Sequence, residues 1–178
     1  MVKISYCILF VAFAVFSSCQ STVQKAPADT FGAERIKQET LINMNTYVAR
    51  RNQELIERFV SRTGLNLKVT GSGLWYGIYS FGTGVQAVSG NTVEIIYKLK
   101  LLDGTDIDSV TERKPKIFKL GKGGLEAGIE EGILLLHQGD SALFIIPPHL
   151  AFGNFGDQQK IPPGAILFYD LYLVSVKP

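Results

Sequence analysis

The segment TVEIIYKLKLLDG, from Thr92 to Gly104, constrains this chain more than any other. Val93, Ile95, Tyr97, Leu99 and Leu101 fall on one face of an extended chain, while Glu94, Lys98 and Lys100 fall on the other. Successive side chains of a strand point to opposite faces, so this pattern predicts a half-buried antiparallel strand. Asp103-Gly104 supplies a hairpin turn at its end. Alternation returns at Leu74 to Tyr79, at Ser141 to Ile146, and at Ala165 to Val176, where Leu167, Tyr169, Leu171 and Leu173 share a face. A short strand is expected around Ile117 to Leu120. A single short helix is expected from about Leu125 to Leu136, with Leu125, Ile129 and Ile133 spaced by four on its inward stripe. The fold class is therefore α+β, with five or six antiparallel strands and one short crossing helix.

A different period precedes the strands. Over residues 33–64, Leu41, Met44, Val48, Leu55 and Phe59 are spaced by three, four and seven, which predicts a long helix with one apolar stripe. Thr63-Gly64 supplies its stop. Two readings stay open: a helix packed on its own domain or acting as a spacer, and a helix that forms a homodimer.

The first 18 residues read as a secretory signal: Lys3, an apolar run from Ile4 to Phe16, then the small pair Ser17-Ser18. The run is shorter than the ~20 apolar residues of a membrane-spanning helix. Phe16-Ser17-Ser18-Cys19 resembles a bacterial lipobox, which implies lipidation of Cys19 and attachment to the membrane through that anchor. The other reading is an ordinary signal cleaved near Ser18. Residues 19–32 then form the lipidated cysteine and a small, polar tether. Cys7 lies within the signal, so Cys19 would be the only cysteine of the mature chain, and the exported domain must hold together by packing without disulfides.

Composition narrows the function classes. Hydrophobic residues make up 46% of the 178-residue chain and charged residues 19%, enough for a real core and unlike a disordered chain. The net charge is +2, with Lys and Arg scattered among acids, so no nucleic-acid partner is expected. No nucleophile elbow or phosphate loop is present. His137 and His149 have no Cys or Glu at ligand spacing, and Asp103, Asp106 and Asp108 do not follow the order of a calcium loop. No metal and no cofactor are expected.

From Ser72 onward several segments in register resemble the FKBP family of peptidyl-prolyl cis-trans isomerases. They are SGLWYGIYSFGTG, Tyr97 followed by LDGTDIDS, LGKGGLEAGIEEGILLL, and the run from Phe144 to Pro163 with its AFG and IPP. The preceding helix and the AFGNFGDQQKI loop resemble the lipid-anchored, gliding-motility-associated branch. The resemblance implies a twisted sheet wrapped around one short helix over residues 65–178, behind the N-terminal helix. It also implies proline-containing polypeptide clients, in the cell envelope and facing the periplasm, with the outer membrane favoured over the inner.

The family reaction is rotation about an X-Pro bond. Partial double-bond character gives peptide rotation a barrier of ~18–20 kcal/mol. An apolar cleft lowers it without nucleophile or base, by binding the twisted amide better than the planar one. Carried over residue by residue, the resemblance gives Tyr97, Asp108, Phe152 and Tyr169 the catalytic positions. Ile107, Leu125, Glu126, Ile129 and Ile161 become substrate contacts. Asp108 is expected to be a buried carboxylate paired with Arg113. The amides near Leu125 and Glu126 would receive a substrate carbonyl, and Ile129 would form the floor. Ile129 replaces the family's usual Trp, Phe152 its usual Tyr, and Lys116 stands near a usual Phe. These departures imply weak binding of macrolide inhibitors. They leave a noncatalytic chaperone or binding module of an envelope machine as the alternative to an active isomerase.

Overall fold

A computed structural model describes residues 30–178. The signal, Cys19 and most of the tether lie outside the described residues. The chain divides into two compact units, Met1–Asn43 and Met44–Pro178. Of the first, the described part is the opening of a helix whose side chains from Glu34 to Asn43 are exposed.

That helix, α1, spans Thr30–Thr63, so it begins within the expected tether. Within the second unit, its last turns are the ones that pack. Ile56 is buried together with Ile145 and Ile166, and Phe59, Val60, Trp75 and Phe168 close around them. The Phe59 and Phe168 rings lie 5.8 Å apart in a tilted pair. The expected stripe is corrected here: Leu41, Met44, Val48 and Leu55 are exposed, and Phe59 alone of the five takes part in packing. Side chains three or four apart share a face, and in the packed turns Ile56, Phe59 and Val60 form that face.

Seven strands follow in one antiparallel sheet: β1 (Lys68–Val69), β2 (Trp75–Ser80), β3 (Thr92–Leu101), β4 (Asp106–Val110), β5 (Lys116–Lys119), β6 (Ser141–Ile146) and β7 (Leu167–Lys177). Their order is β1-β2-β6-β7-β3-β4, with β5 also paired to β3. The long strands β3 and β7 form the centre, from Thr92 opposite Lys177 to Leu101 opposite Leu167. This matches the expected class with one or two further strands. The additions are the two-residue β1, too short to show a period, and the short, polar β4 beyond the Asp103-Gly104 turn.

The inward faces are those the alternation predicts. Val93, Ile95, Tyr97 and Leu99 of β3 are buried, as are Leu167, Tyr169, Leu171 and Leu173 of β7. Against this face lies α2 (Ala127–Ile133), shorter than expected, with Ile129 and Ile133 buried. Two glycines let it sit close. A Cβ at Gly128 would lie 2.4 Å from Ile146, and one at Gly132 would lie 2.7 Å from the Phe144 ring. Such distances are far inside van der Waals contact, so the spacing of α2 from β6 depends on both glycines.

One buried carboxylate ties the far end together. Asp140 is 1% exposed. It accepts hydrogen bonds from the amides of Gly82 and His137, both at 2.7 Å.

Candidate active site

The concave side of the sheet, the start of α2 and the long loop before β7 meet in one cluster. Tyr97 and Tyr169 stand side by side because their strands pair, with Leu99 opposite Tyr169 and Tyr97 opposite Leu171. Their rings meet edge to face at 5.3 Å, a geometry the aromatic quadrupole favours. Ile107 from β4, Ile129 from α2 and Ile161 from the loop are buried in the same cluster, and Leu125 and Phe152 pack against it half-buried. Ile129 is 1% and Tyr169 3% exposed, so the floor is close-packed.

The polar groups lie at the rim. The Tyr97 hydroxyl donates to Oδ2 of Asp108 at 2.9 Å and accepts from Nζ of Lys116 at 3.3 Å. The same ammonium lies 5.5 Å from the centre of the Tyr97 ring, within cation–π range. Burial holds both phenols above the ordinary tyrosine range. For Tyr97 the Asp108 hydrogen bond adds to it, and for Tyr169 the nearby negative charge of Glu126 does. Glu126 stands just before α2, with extended backbone, and its carbonyl accepts from the amides of Ile129 and Glu130. The amides of Leu125 and Glu126 themselves donate to no backbone carbonyl among the described residues.

The loop is organised by a residue outside the expected site, Asp157. Its Oδ1 accepts from the amides of Gln159, Lys160 and Ile161 at 2.9, 2.9 and 2.6 Å. The Ile161 amide, then the other two, hold its carboxyl below the ordinary aspartate range. An Asp whose side chain binds amides two to four residues on is a known turn device, and an Asp inside this Gly- and Gln-rich loop is the signal that could have pointed to it. Lys160 then reaches across to donate from Nζ to the carbonyl of Ile107 at 3.3 Å.

The structure thus brings together Tyr97, Ile107, Ile129, Phe152, Ile161, Tyr169 and Leu125, with Asp108 and Glu126 at the rim. It corrects Asp108, which is exposed and, among the described residues, makes no ion pair with Arg113. The reason is its place at the edge of the sheet: Asp108 stands opposite Leu99 and its carboxylate reaches the Tyr97 hydroxyl, but β4 ends the strand order, which leaves that carboxylate open to solvent. Asp108 also accepts from the Ser109 amide at 2.8 Å. β4 is the last strand of the sheet, so Asp108 and Lys160 together occupy backbone groups of Ser109 and Ile107 at that edge. A separate groove of about 580 Å³ lies between α1 and the Pro162–Ile166 segment, and its lining contains none of the cleft residues.

An antiparallel sheet packed on one short helix, with Tyr97 and Tyr169 edge to face in its core and Asp108 on the Tyr97 hydroxyl, defines a class of small α+β domains. Residues 84–174 match the FKBP-type peptidyl-prolyl cis-trans isomerase family, and the chain belongs to it. It is 32% identical to a probable FKBP-type peptidyl-prolyl cis-trans isomerase of Haemophilus influenzae, over 89% of this chain and 64% of that protein. It is 34% identical to the FKBP-type isomerase FkpA of Escherichia coli, over 72% of this chain and 46% of that one. The chain therefore spans about half to two thirds of these relatives' length. Among solved structures, Escherichia coli FkpA aligns with a TM-score of 0.64 at 28% identity, over 99% of this chain and 83% of that one. AtFKBP13 aligns with a TM-score of 0.60 at 32% identity, over 64% and 100% respectively. Among the described residues, no helix is long and apolar enough to cross a membrane.

Proposed function

We propose that this chain is a peptidyl-prolyl cis-trans isomerase acting on proline-containing polypeptides of the cell envelope. The observation that carries the reading is the packing of Tyr97, Tyr169, Ile129 and Ile161 in one hydrophobic core, with Leu125 against it and the Leu125 and Glu126 amides bonded to no backbone carbonyl among the described residues. An apolar seat favours the twisted amide, whose charge separation is smaller, and the amides hold a neighbouring carbonyl in place. The close-packed floor requires the rim residues Leu125 and Phe152 to yield as a prolyl ring enters. The test is the cis-to-trans rate of a short Ala-Leu-Pro-type peptide at micromolar protein. A rate equal to the spontaneous one would remove the reading.

Export, a lipid on Cys19 and a place at the outer membrane facing the periplasm complete the proposal. The apolar run, Ser17-Ser18 and Cys19 support them. Cells fed a labelled fatty acid should label the wild type and not Cys19→Ser. The exposed Met44, Tyr47 and Val48 of α1 support a homodimer through this helix, which multi-angle light scattering of the purified protein would test.

A second reading, a noncatalytic chaperone of an envelope or gliding-motility machine, is favoured by two observations. The Tyr97 hydroxyl is already committed to Asp108 and Lys116, and Ile129 underlies the cleft in place of an aromatic platform. Its signature is suppressed aggregation of an unfolded client without faster isomerisation.

A further inference from the structure

The half-buried carboxylate of Glu130, on α2, closes a loop of chain beside the cleft. Its Oε1 accepts from the amide of Gly121, just past the end of β5. The Glu130 amide in turn donates to the carbonyl of Glu126 at 3.1 Å. One residue thus holds both ends of the connection from Gly121 to Glu126, the first through its side chain and the second through its backbone.

Between those ends the connection has little support of its own. Gly123, Gly124 and Leu125 make no backbone hydrogen bond among the described residues. Gly121, Gly123 and Gly124 take φ of +79°, +76° and +98°, a region that glycine enters freely and other residues rarely. A Cβ at Gly123 or Gly124 would meet nothing within 4 Å, so no neighbour fences them in. Leu125 is held only by its side chain, half-buried against the core. Gly121, by contrast, is a firm anchor. A Cβ there would lie 2.5 Å from Oγ of Ser89. Its neighbour Leu120 donates to the Asn91 carbonyl and accepts from the Gly90 amide, both at 2.9 Å. A glycine-rich segment has the most conformational freedom to lose, so its course into Leu125 and Glu126 depends on how its ends are pinned.

We propose that Glu130 is a positioning residue: by binding Gly121 it fixes the course of this connection, and so the direction in which the Leu125 and Glu126 amides meet a substrate carbonyl. The inference rests on the prolyl-peptide reading above, in which those amides hold that carbonyl, and adds the residue that aims them. A carbonyl held equally in the planar and the twisted state contributes uniform binding, so its loss falls on KM and spares kcat. Glu131 supplies a control one residue away. Its carboxylate takes the Ser72 hydroxyl instead, at 2.8 and 2.7 Å from its two oxygens.

The test is kcat and KM of the full chain on Ala-Leu-Pro-Phe. Glu130→Ala should raise KM about five-fold, the scale of one lost hydrogen bond, with kcat nearly unchanged. Glu130→Gln keeps an oxygen for the Gly121 amide and should restore the wild-type KM. Glu131→Ala should leave KM as it is. NMR order parameters of the Gly123, Gly124 and Leu125 amides should fall in Glu130→Ala and not in Glu130→Gln. Should Glu130→Ala fail to fold, Glu130→Asp, one methylene shorter, takes its place with the same expected rise. An unchanged KM in the folded variant overturns the inference and leaves the isomerase reading standing. An equal rise in Glu131→Ala overturns the assignment to the Gly121 bond. Absence of turnover by the wild type overturns the reading on which it rests.

Discussion

The Tyr97 hydroxyl gives its proton to Asp108 across 2.9 Å, between the central strand β3 and the edge strand β4. The bond joins a buried ring to an exposed carboxylate, so its removal leaves Asp108 free to be hydrated. Tyr97→Phe should therefore cost only about 1 kcal/mol of stability, the net worth of one such bond. Urea unfolding of the two proteins measures it. A loss of about 3 kcal/mol or more would mean that the hydroxyl holds more than Asp108 and Lys116.

Alkali should weaken the fold through the same cluster. Burial raises Tyr97 and Tyr169 above the phenol value of ~10. A group whose folded value is raised stabilises fully below its unfolded value and loses that contribution as pH rises towards the folded one. Stability should therefore begin to fall above about pH 10, and the fall should be shallower in Tyr97→Phe. Melting curves between about pH 8 and 11 compare the two slopes.

Acid should loosen the loop instead. Asp157 is depressed by the amides it accepts, so its contribution is complete above the ordinary aspartate value and is lost as pH falls through the folded one. Hydrogen exchange of the Gln159, Lys160 and Ile161 amides, corrected for intrinsic rate, should lose protection below about pH 4. Asp157→Ala should show the same loss of protection already at about pH 6.

Asp140 presents a sharper case, because its carboxylate is buried and holds two amides. Asp140→Ala leaves the Gly82 and His137 amides without that acceptor. Each unsatisfied buried group costs about 1–3 kcal/mol, so the two part-buried amides should together cost at most about 2–6 kcal/mol. Denaturant midpoints read it, and Asp140→Asn should recover part of the loss.

The seat of α1 on the back of the sheet can be probed at Ile56. It is fully buried among Ile145, Ile166, Phe59 and Phe168. Ile56→Ala should cost about 2–4 kcal/mol, whereas Leu55→Ala, one residue earlier and exposed, should cost under about 1 kcal/mol. Equal effects would mean that the helix is held by a different face.

The strands were legible because a period of two fits an extended chain and not a helix: the faces read from Val93 to Leu99 and from Leu167 to Leu173 are the buried ones. The face of α1 was not. Leu41, Met44, Val48 and Leu55 make a plausible stripe, but packing involves only the last turns, and spacing alone does not reveal where a partner surface begins. The family pattern placed Tyr97, Ile129, Ile161 and Tyr169 around a cleft, and the structure buries all four within one hydrophobic core. It could not give the exposure of Asp108, since the bulge between β3 and β4 at Leu99 and Lys100 adds a residue to the edge strand and sets where the carboxylate stands. Lys116 and Lys160 were not legible either, because nothing in a lone lysine announces that its ammonium will end against a phenol or a carbonyl.

The capped rim of β4 has a consequence for the proposed activity on other chains. An open border strand is a template on which any extended segment can zip up, irrespective of its side chains. With the Ser109 amide turned to Asp108 and the Ile107 carbonyl held by Lys160, that template is interrupted beside the cleft. For the isomerase proposed above, this would leave a polypeptide to be recognised by its proline and its neighbours, and free to depart without having become an eighth strand.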